Sequence, residues 1–235
     1  MVFEIDLDNG LYPKFDPKLD NYTPIDCKYY DYDILQHSVF ESTFNLLTFN
    51  VRSCKKNFCQ FMSCFSNILT YFTCIILVET WLTKDRDISY SIPGFYNYDL
   101  YRDQYGGGIK MYVKDGVEAR VIEDYTFLNY LFEVLTVEFI INGKKLICSS
   151  SYHPPSSSHV NNNDFVFSFT SFLRRVLGDH IPAVICGDFN MNLFNPNKYV
   201  YIDRFVNGMF ELGLNPVITI PTKINPETKL QGTVC

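Results

Sequence analysis

Two periods govern the pattern of apolar and polar positions. Phe44 to Phe49 is a short β-prone run closed by Asn50, as in a buried strand that delivers a polar residue at its end. Between Lys55 and Phe72 the apolar positions 58, 61, 62, 65, 69 and 72 recur at the 3.6 period on one face, which predicts a helix. Cys74 to Val78 then reads as a wholly buried strand, and Glu79 follows at once. This strand, helix, strand unit leaves two polar residues at two strand ends.

The middle of the chain is β-rich. Ile109 to Val113, Val117 to Ile122, Glu133 to Ile141 and Lys144 to Ser151 are strand-like, punctuated by Gly106 to Gly108, Asp115-Gly116 and Asn142-Gly143. Asn-Gly between such runs is the strongest short hairpin signal, so antiparallel pairing is expected here. Beyond Tyr152 a loop rich in Pro, Ser and Asn leads to a second helix, Asp164 to Leu177, apolar at 165, 169, 172, 173 and 176 with Gly178 past its end. Ala183 to Cys186 is a third buried strand, followed by Gly187-Asp188-Phe189-Asn190, and a third helix near Tyr201 to Leu212 stops at Gly213. The alternation predicts an α/β fold in which two mixed sheets pack face to face with helices outside. Polar residues at several strand ends then converge on one edge. No repeat with a period of 20 to 50 residues is present, which removes solenoids and propellers.

Composition narrows the function classes. At 235 residues, 47% hydrophobic and 20% charged, the chain can bury a sizeable core. Its net charge of −6 is concentrated at the start, where residues 1–41 hold nine Asp/Glu against three Lys. The remainder is neutral, so nucleic acid is not held mainly by bulk electrostatics. Residues 1–43, rich in Asp, Tyr, Pro and Asn without a period, read as an extended acidic leader before a domain over 44–235. The eight cysteines form no C-x-x-C pair, which favours buried free thiols in a reducing, intracellular setting over a zinc knuckle. No secretory signal opens the chain. The most apolar window, Phe65 to Val78, has 14 residues and is too short to span a bilayer.

Asn50, Glu79, Tyr152, Asp188 and Asn190 share a setting, each following a buried apolar run. Carboxylates and carboxamides at strand ends supply hard oxygen ligands, suited to Mg²⁺ with retained waters and hence to phosphate chemistry. Each residue also has an ordinary reading. Asp188 and Asn190 suit an Asx-type turn, Glu79 a cap for the next turn, and Asn50 and Tyr152 a purely structural place.

Five motifs occur in order: Thr48-Phe49-Asn50-Val51-Arg52, Val78-Glu79-Thr80-Trp81-Leu82, Tyr101-Arg102-Asp103 with Gly106-Gly107-Gly108-Ile109, Tyr152-His153-Pro154-Pro155, and Gly187-Asp188-Phe189-Asn190. Together they resemble the endonuclease/exonuclease/phosphatase superfamily from about residue 44 to about residue 224. The E-T-W-L and R-D-x-x-G-G-G pattern is similar to the endonuclease domain that precedes reverse transcriptase in LINE-type (non-LTR) retrotransposons. The resemblance implies a four-layer α/β/β/α sandwich and Mg²⁺-dependent (or Mn²⁺-dependent) phosphodiester hydrolysis, nicking DNA to leave a 3′-hydroxyl. It also implies a reverse transcriptase partner, a nuclear place of action and no membrane association. Carried over by position, Glu79 holds the metal with Asn50 beside it, Tyr152 contacts the scissile phosphate, and Asp188 orients or activates water. Asn190 stabilises charge developing on the phosphate. His153 is expected near the phosphate, and Arg52 and Arg102 are candidates for phosphate contacts, the alternative being solvated surface residues.

The family pattern continues with a strand bearing an Asp-His pair soon after a Pro-Thr like Pro221-Thr222. Residues 223–235 hold neither Asp nor His, so the last strand is expected to be missing and catalysis impaired. Two alternatives follow: a catalytically dead remnant of such an element, and a phosphoesterase acting on a lipid headgroup. The triple glycine and the absence of a basic amphipathic segment speak against the latter.

Overall fold

The computed structural model describes residues 2–5, 43–86, 90–102, 106–155, 158–178, 181–193 and 199–217. The rest of residues 1–42, Asp103, His37, His180 and the Pro221-Thr222 region lie outside the described residues. Strand β1 (Val2–Ile5) is followed by β2 (Phe44–Asn50), helix α1 (Cys54–Phe65), β3 (Cys74–Val78), β4 (Phe95–Leu100), β5 (Ile109–Lys114), β6 (Glu118–Val121) and β7 (Phe127–Leu128). After these come β8 (Glu133–Ile141), β9 (Lys144–Tyr152), helix α2 (His159–Val176), β10 (Ala183–Asp188) and helix α3 (Val200–Glu211).

The first sheet has the order β1-β2-β3-β5-β4, and the second β10-β9-β8-β6 with β7 also on β8. Both are mixed. β2 and β3 run parallel, as a strand, helix, strand unit requires, whereas β3/β5 and β4/β5 are antiparallel. In the second sheet β9 and β10 are parallel and β8/β9 antiparallel. The β8–β9 turn is the predicted one: Asn142 and Gly143 both take positive φ, 51° and 75°, the conformation a two-residue hairpin loop demands. The expected α/β architecture of two packed mixed sheets is therefore observed.

The described chain divides into two compact units, the first holding both sheets and α1, the second α2 and α3. In the first, alternate residues of each strand point to opposite faces. Leu47, Ile75, Leu77 and Tyr112 meet Phe58 and Phe61 of α1 in one buried cluster. On the other face Phe44 packs edge-on against Phe139 of the second sheet, with ring centroids 5.1 Å apart. In the second unit Phe165, Phe169, Phe189 and Phe205 form one aromatic cluster. Among the described residues no helix is long and apolar enough to cross a membrane.

Several elements differ from the sequence pattern. The helix expected over Lys55 to Phe72 ends at Phe65, where Ser66-Asn67 interrupts it. A 3₁₀ turn at Leu69–Tyr71 then returns Leu69 and Phe72 to the same apolar cluster, so the periodicity survives the break. Helix α2 begins at His159, five residues before the expected start, because the Ser158 hydroxyl accepts from the Asn161 amide as an N-cap. Strands β1, β4 and β7 were not expected. β4 alternates aromatics with Asn and Asp, residues that strands usually avoid. Its Tyr96 and Tyr98 hydroxyls donate to the Val117 and Ala119 carbonyls at 2.7 Å, which anchors this edge.

Candidate functional site

Sheet register brings the polar strand ends together. Asn50 pairs with Val78, so Asn50 ends β2 beside Glu79. Asp188 at the end of β10 pairs with Tyr152 at the end of β9, and Tyr152 pairs with Glu133 at the start of β8. The two rims meet through Asn50. Its Nδ2 donates to Glu79 Oε1 at 2.6 Å and to Asp188 Oδ2 at 2.8 Å, while its Oδ1 accepts from the Arg52 amide at 3.1 Å.

The turn that presents Glu79 is held from both sides. Glu79 and Trp81 adopt left-handed φ of 56° and 54°, a conformation that is costly for side-chain-bearing residues and needs support from its surroundings. On one side, Ser53 and Cys54 amides donate to the Glu79 and Thr80 carbonyls at 2.8 and 2.9 Å. On the other, Thr80 and Trp81 amides donate to the Gly108 and Gly107 carbonyls at 3.2 and 3.0 Å. Gly107 and Gly108 are left-handed too, and a Cβ on Gly107 would stand 2.1 Å from Glu133 Oε1. The triple-glycine motif is thus a close backbone approach to the E-T-W turn.

Glu133 appears in none of the sequence motifs. Its carboxylate is 0% exposed and accepts from Arg102 Nη1 and from the Gly108 amide, both at 2.7 Å. In the sequence Glu133 reads only as the first residue of a strand. The available signal was a charged residue opening an otherwise apolar run.

The electrostatics of this rim suit a cation. Burial raises the Tyr152 hydroxyl's pKa well above its usual value, and the nearby charges of Glu79, Asp188 and Glu133 push it further, against a smaller opposing effect of Arg102. Two carboxylates sharing one carboxamide, in a field negative enough to disfavour tyrosinate, fit a divalent cation held by oxygen donors and water. Among the described residues no group of three or more His, Cys, Asp or Glu converges on a metal position, so such an ion would rest on Glu79, Asp188, a carboxamide and solvent.

The other predicted residues fall as follows. Arg102 is no solvated surface residue: its side chain is 27% exposed and paired with buried Glu133. Arg52 is exposed, at a left-handed φ of 44°. His153 is 2% exposed, stacked at 4.0 Å on Phe165, with Nε2 3.2 Å from Asn162 Oδ1. Its flat ring fills the aromatic cluster of the second unit, a packing role. Asn190 lies in the same unit and donates from Nδ2 to the His153 carbonyl at 2.8 Å. The expectation of buried thiols holds for Cys54, Cys74, Cys148 and Cys186, whereas Cys59 and Cys64 are exposed on α1.

No curated protein matches the chain by sequence. The endonuclease domain of TRAS1, a telomere-specific non-LTR retrotransposon, matches in structure with a TM-score of 0.53 at 15% identity, covering 80% of this chain and 81% of that one. An AP endonuclease from Archaeoglobus fulgidus matches with a TM-score of 0.52 at 15% identity, covering 71% and 70%. These likenesses establish a shared fold. The model of the Endonuclease/Exonuclease/phosphatase family matches residues 47–207, most of the chain. Enzymes of that family are hydrolases that generally depend on a divalent metal. The chain belongs to the Endonuclease/Exonuclease/phosphatase family.

Proposed function

We propose that this protein is a Mg²⁺-dependent DNA-nicking endonuclease of the kind that serves non-LTR retrotransposons, with a reverse transcriptase as its partner and the nucleus as its place of action. One observation carries the reading: Glu79 and Asp188, from different sheets, meet at the Asn50 carboxamide on the rim that Tyr152 also occupies. The E-T-W-L and R-D-x-x-G-G-G motifs support the narrower choice of DNA and of retrotransposition.

In this reading Glu79 would hold the ion with Asn50 beside it. A divalent ion bound there would supply Lewis acidity toward a phosphoryl oxygen and toward the leaving oxygen. Asp188 accepts a proton from the attacking water at its carboxylate. Tyr152, kept protonated by its surroundings, donates from its hydroxyl to a non-bridging phosphate oxygen. Arg102, forked and always charged, holds a second oxygen. Asn190 takes the role the family pattern gives it, stabilising charge on the phosphate. The water oxygen bonds to phosphorus as the bond from phosphorus to the 3′-oxygen breaks, and the nick is left with a 5′-phosphate and a 3′-oxygen that takes a proton from solvent to become a hydroxyl.

The test is conversion of supercoiled plasmid to nicked circle by the pure protein in Mg²⁺. Conversion that Glu79→Ala and Asp188→Ala both abolish is expected. Conversion unchanged by either substitution overturns the assignment.

A further inference from the structure

We infer that Glu133 is a positioning residue of the site proposed above, one buried carboxylate fixing both the turn that presents Glu79 and the guanidinium of Arg102. The inference rests on that reading of the site and adds to it the group that organises it.

A carboxylate with no exposed surface is costly unless its charge is matched and its oxygens accept hydrogen bonds. Both conditions are met here: Oε1 takes the Arg102 Nη1 donor and Oε2 the Gly108 amide, each at 2.7 Å. The Gly108 bond leads toward the metal side. Gly108 and Gly107, held left-handed at 85° and 69°, offer their carbonyls to the Thr80 and Trp81 amides. That places the turn's left-handed Glu79 next to the residues secured. No side chain fits between carboxylate and turn, because a Cβ on Gly107 would meet Glu133 and one on Gly108 would stand 2.5 Å from Thr80 Oγ1.

The Arg102 bond leads toward the phosphate side. Register sets Glu133 opposite Tyr152, and Arg102 lies near enough to act on the Tyr152 hydroxyl. A guanidinium carries five N–H donors in a fixed fork, so it can keep one nitrogen on Glu133 and turn another to a phosphate oxygen. Glu133 itself is fully buried, and it bears on the site through these two neighbours.

The experiment uses the full chain. Mn²⁺ binding is followed by the electron paramagnetic resonance of the free ion and by the emission of Trp81, the chain's one tryptophan, which sits in the turn under test. Plasmid nicking in Mg²⁺ gives kcat and KM. Glu133→Gln keeps the shape and removes the charge. Expected are an Mn²⁺ dissociation constant raised about 10-fold, shifted Trp81 emission before metal is added, and a KM for plasmid raised about 10-fold. Arg102→Ala should raise KM by a similar factor and weaken Mn²⁺ binding less than Glu133→Gln does, because the Gly108 bond to Glu133 remains. In the double variant KM should rise no further, whereas the loss of Mn²⁺ affinity persists.

Wild-type metal affinity, emission and KM in Glu133→Gln overturn the inference alone, provided the wild type binds Mn²⁺ and nicks. A wild type that does neither overturns the hydrolase reading and the inference with it. Should Glu133→Gln not fold, Arg102→Ala at its partly exposed position decides the phosphate arm, and an unchanged KM there counts against the inference.

Discussion

Glu79 and Asp188 stand at the ends of β3 and β10, strands of different sheets, and accept hydrogen bonds from the same Asn50 amide nitrogen at 2.6 and 2.8 Å. Two like charges roughly 5 Å apart repel by about 3 kcal/mol at an effective dielectric near 20. The shared donor offsets part of that repulsion, and a cation would offset more. The packing of two sheets therefore creates a local demand for positive charge.

Removing the donor should expose that demand. Asn50→Leu is expected to lower stability in chelator by about 1–3 kcal/mol, since two partly buried carboxylates lose a common partner. Thermal melting with and without Mg²⁺ checks it. An unchanged melt in chelator would show that the amide does not hold the pair.

Glycine substitutions should separate by what a Cβ would meet. Gly187→Ala places Cβ 1.8 Å from the Ser151 carbonyl oxygen, a backbone clash between β10 and β9. A loss of more than about 3 kcal/mol, or failure to fold, is expected. Gly143→Ala meets nothing within 4 Å and carries only the strain of φ 75°, about 1 kcal/mol. Urea denaturation of both variants measures the difference, and equal losses would contradict the packing described.

Tyr152 should remain a proton donor across the working range. Its folded pKa lies above the usual 10.0 because of burial and the carboxylates around it. The protonated form is therefore favoured in the fold, and the associated stability is intact below pH 10 and is lost as pH rises through the folded value. Tyr152→Phe should slow nicking by about 10²-fold equally at about pH 7 and about pH 9.5. A defect that vanishes at the higher pH would mean that the phenol titrates below it.

Thiol accessibility tests the core. Cys59 and Cys64 should alkylate in the native protein, whereas Cys54, Cys74, Cys148 and Cys186 should react only after unfolding. The neighbouring Cys148 thiol and burial push the Cys186 thiol up, which withholds the reactive thiolate as well. Peptide mapping after maleimide treatment reads this directly. Native labelling of Cys148 or Cys186 would contradict the sheet packing.

Much of this arrangement was legible in the chain. The runs Phe44 to Phe49, Cys74 to Val78, Lys144 to Ser151 and Ala183 to Cys186 marked the strands, and Asn50, Glu79, Tyr152 and Asp188 beyond them marked the rim. Asn142-Gly143 gave the hairpin because its local chemistry determines its conformation. β4 escaped because Phe95–Leu100 sits at an edge, half-buried, where alternating aromatic and polar residues carry no strong period. Glu133 escaped for a different reason. Its role depends on Arg102 and Gly108, 31 and 25 residues earlier, and only tertiary packing brings them to it. The stacking of His153 on Phe165 was not legible either, because adjacency to Tyr152 in sequence says nothing of orientation.

The central claim is that Glu79 and Asp188 form one cation site, and Mn²⁺ binding by the full chain tests it without requiring turnover. Titration followed by electron paramagnetic resonance should show a site in the wild type whose affinity falls by about 10-fold or more in both Glu79→Ala and Asp188→Ala. Wild-type affinity in either variant, or no binding by the wild type, would contradict it.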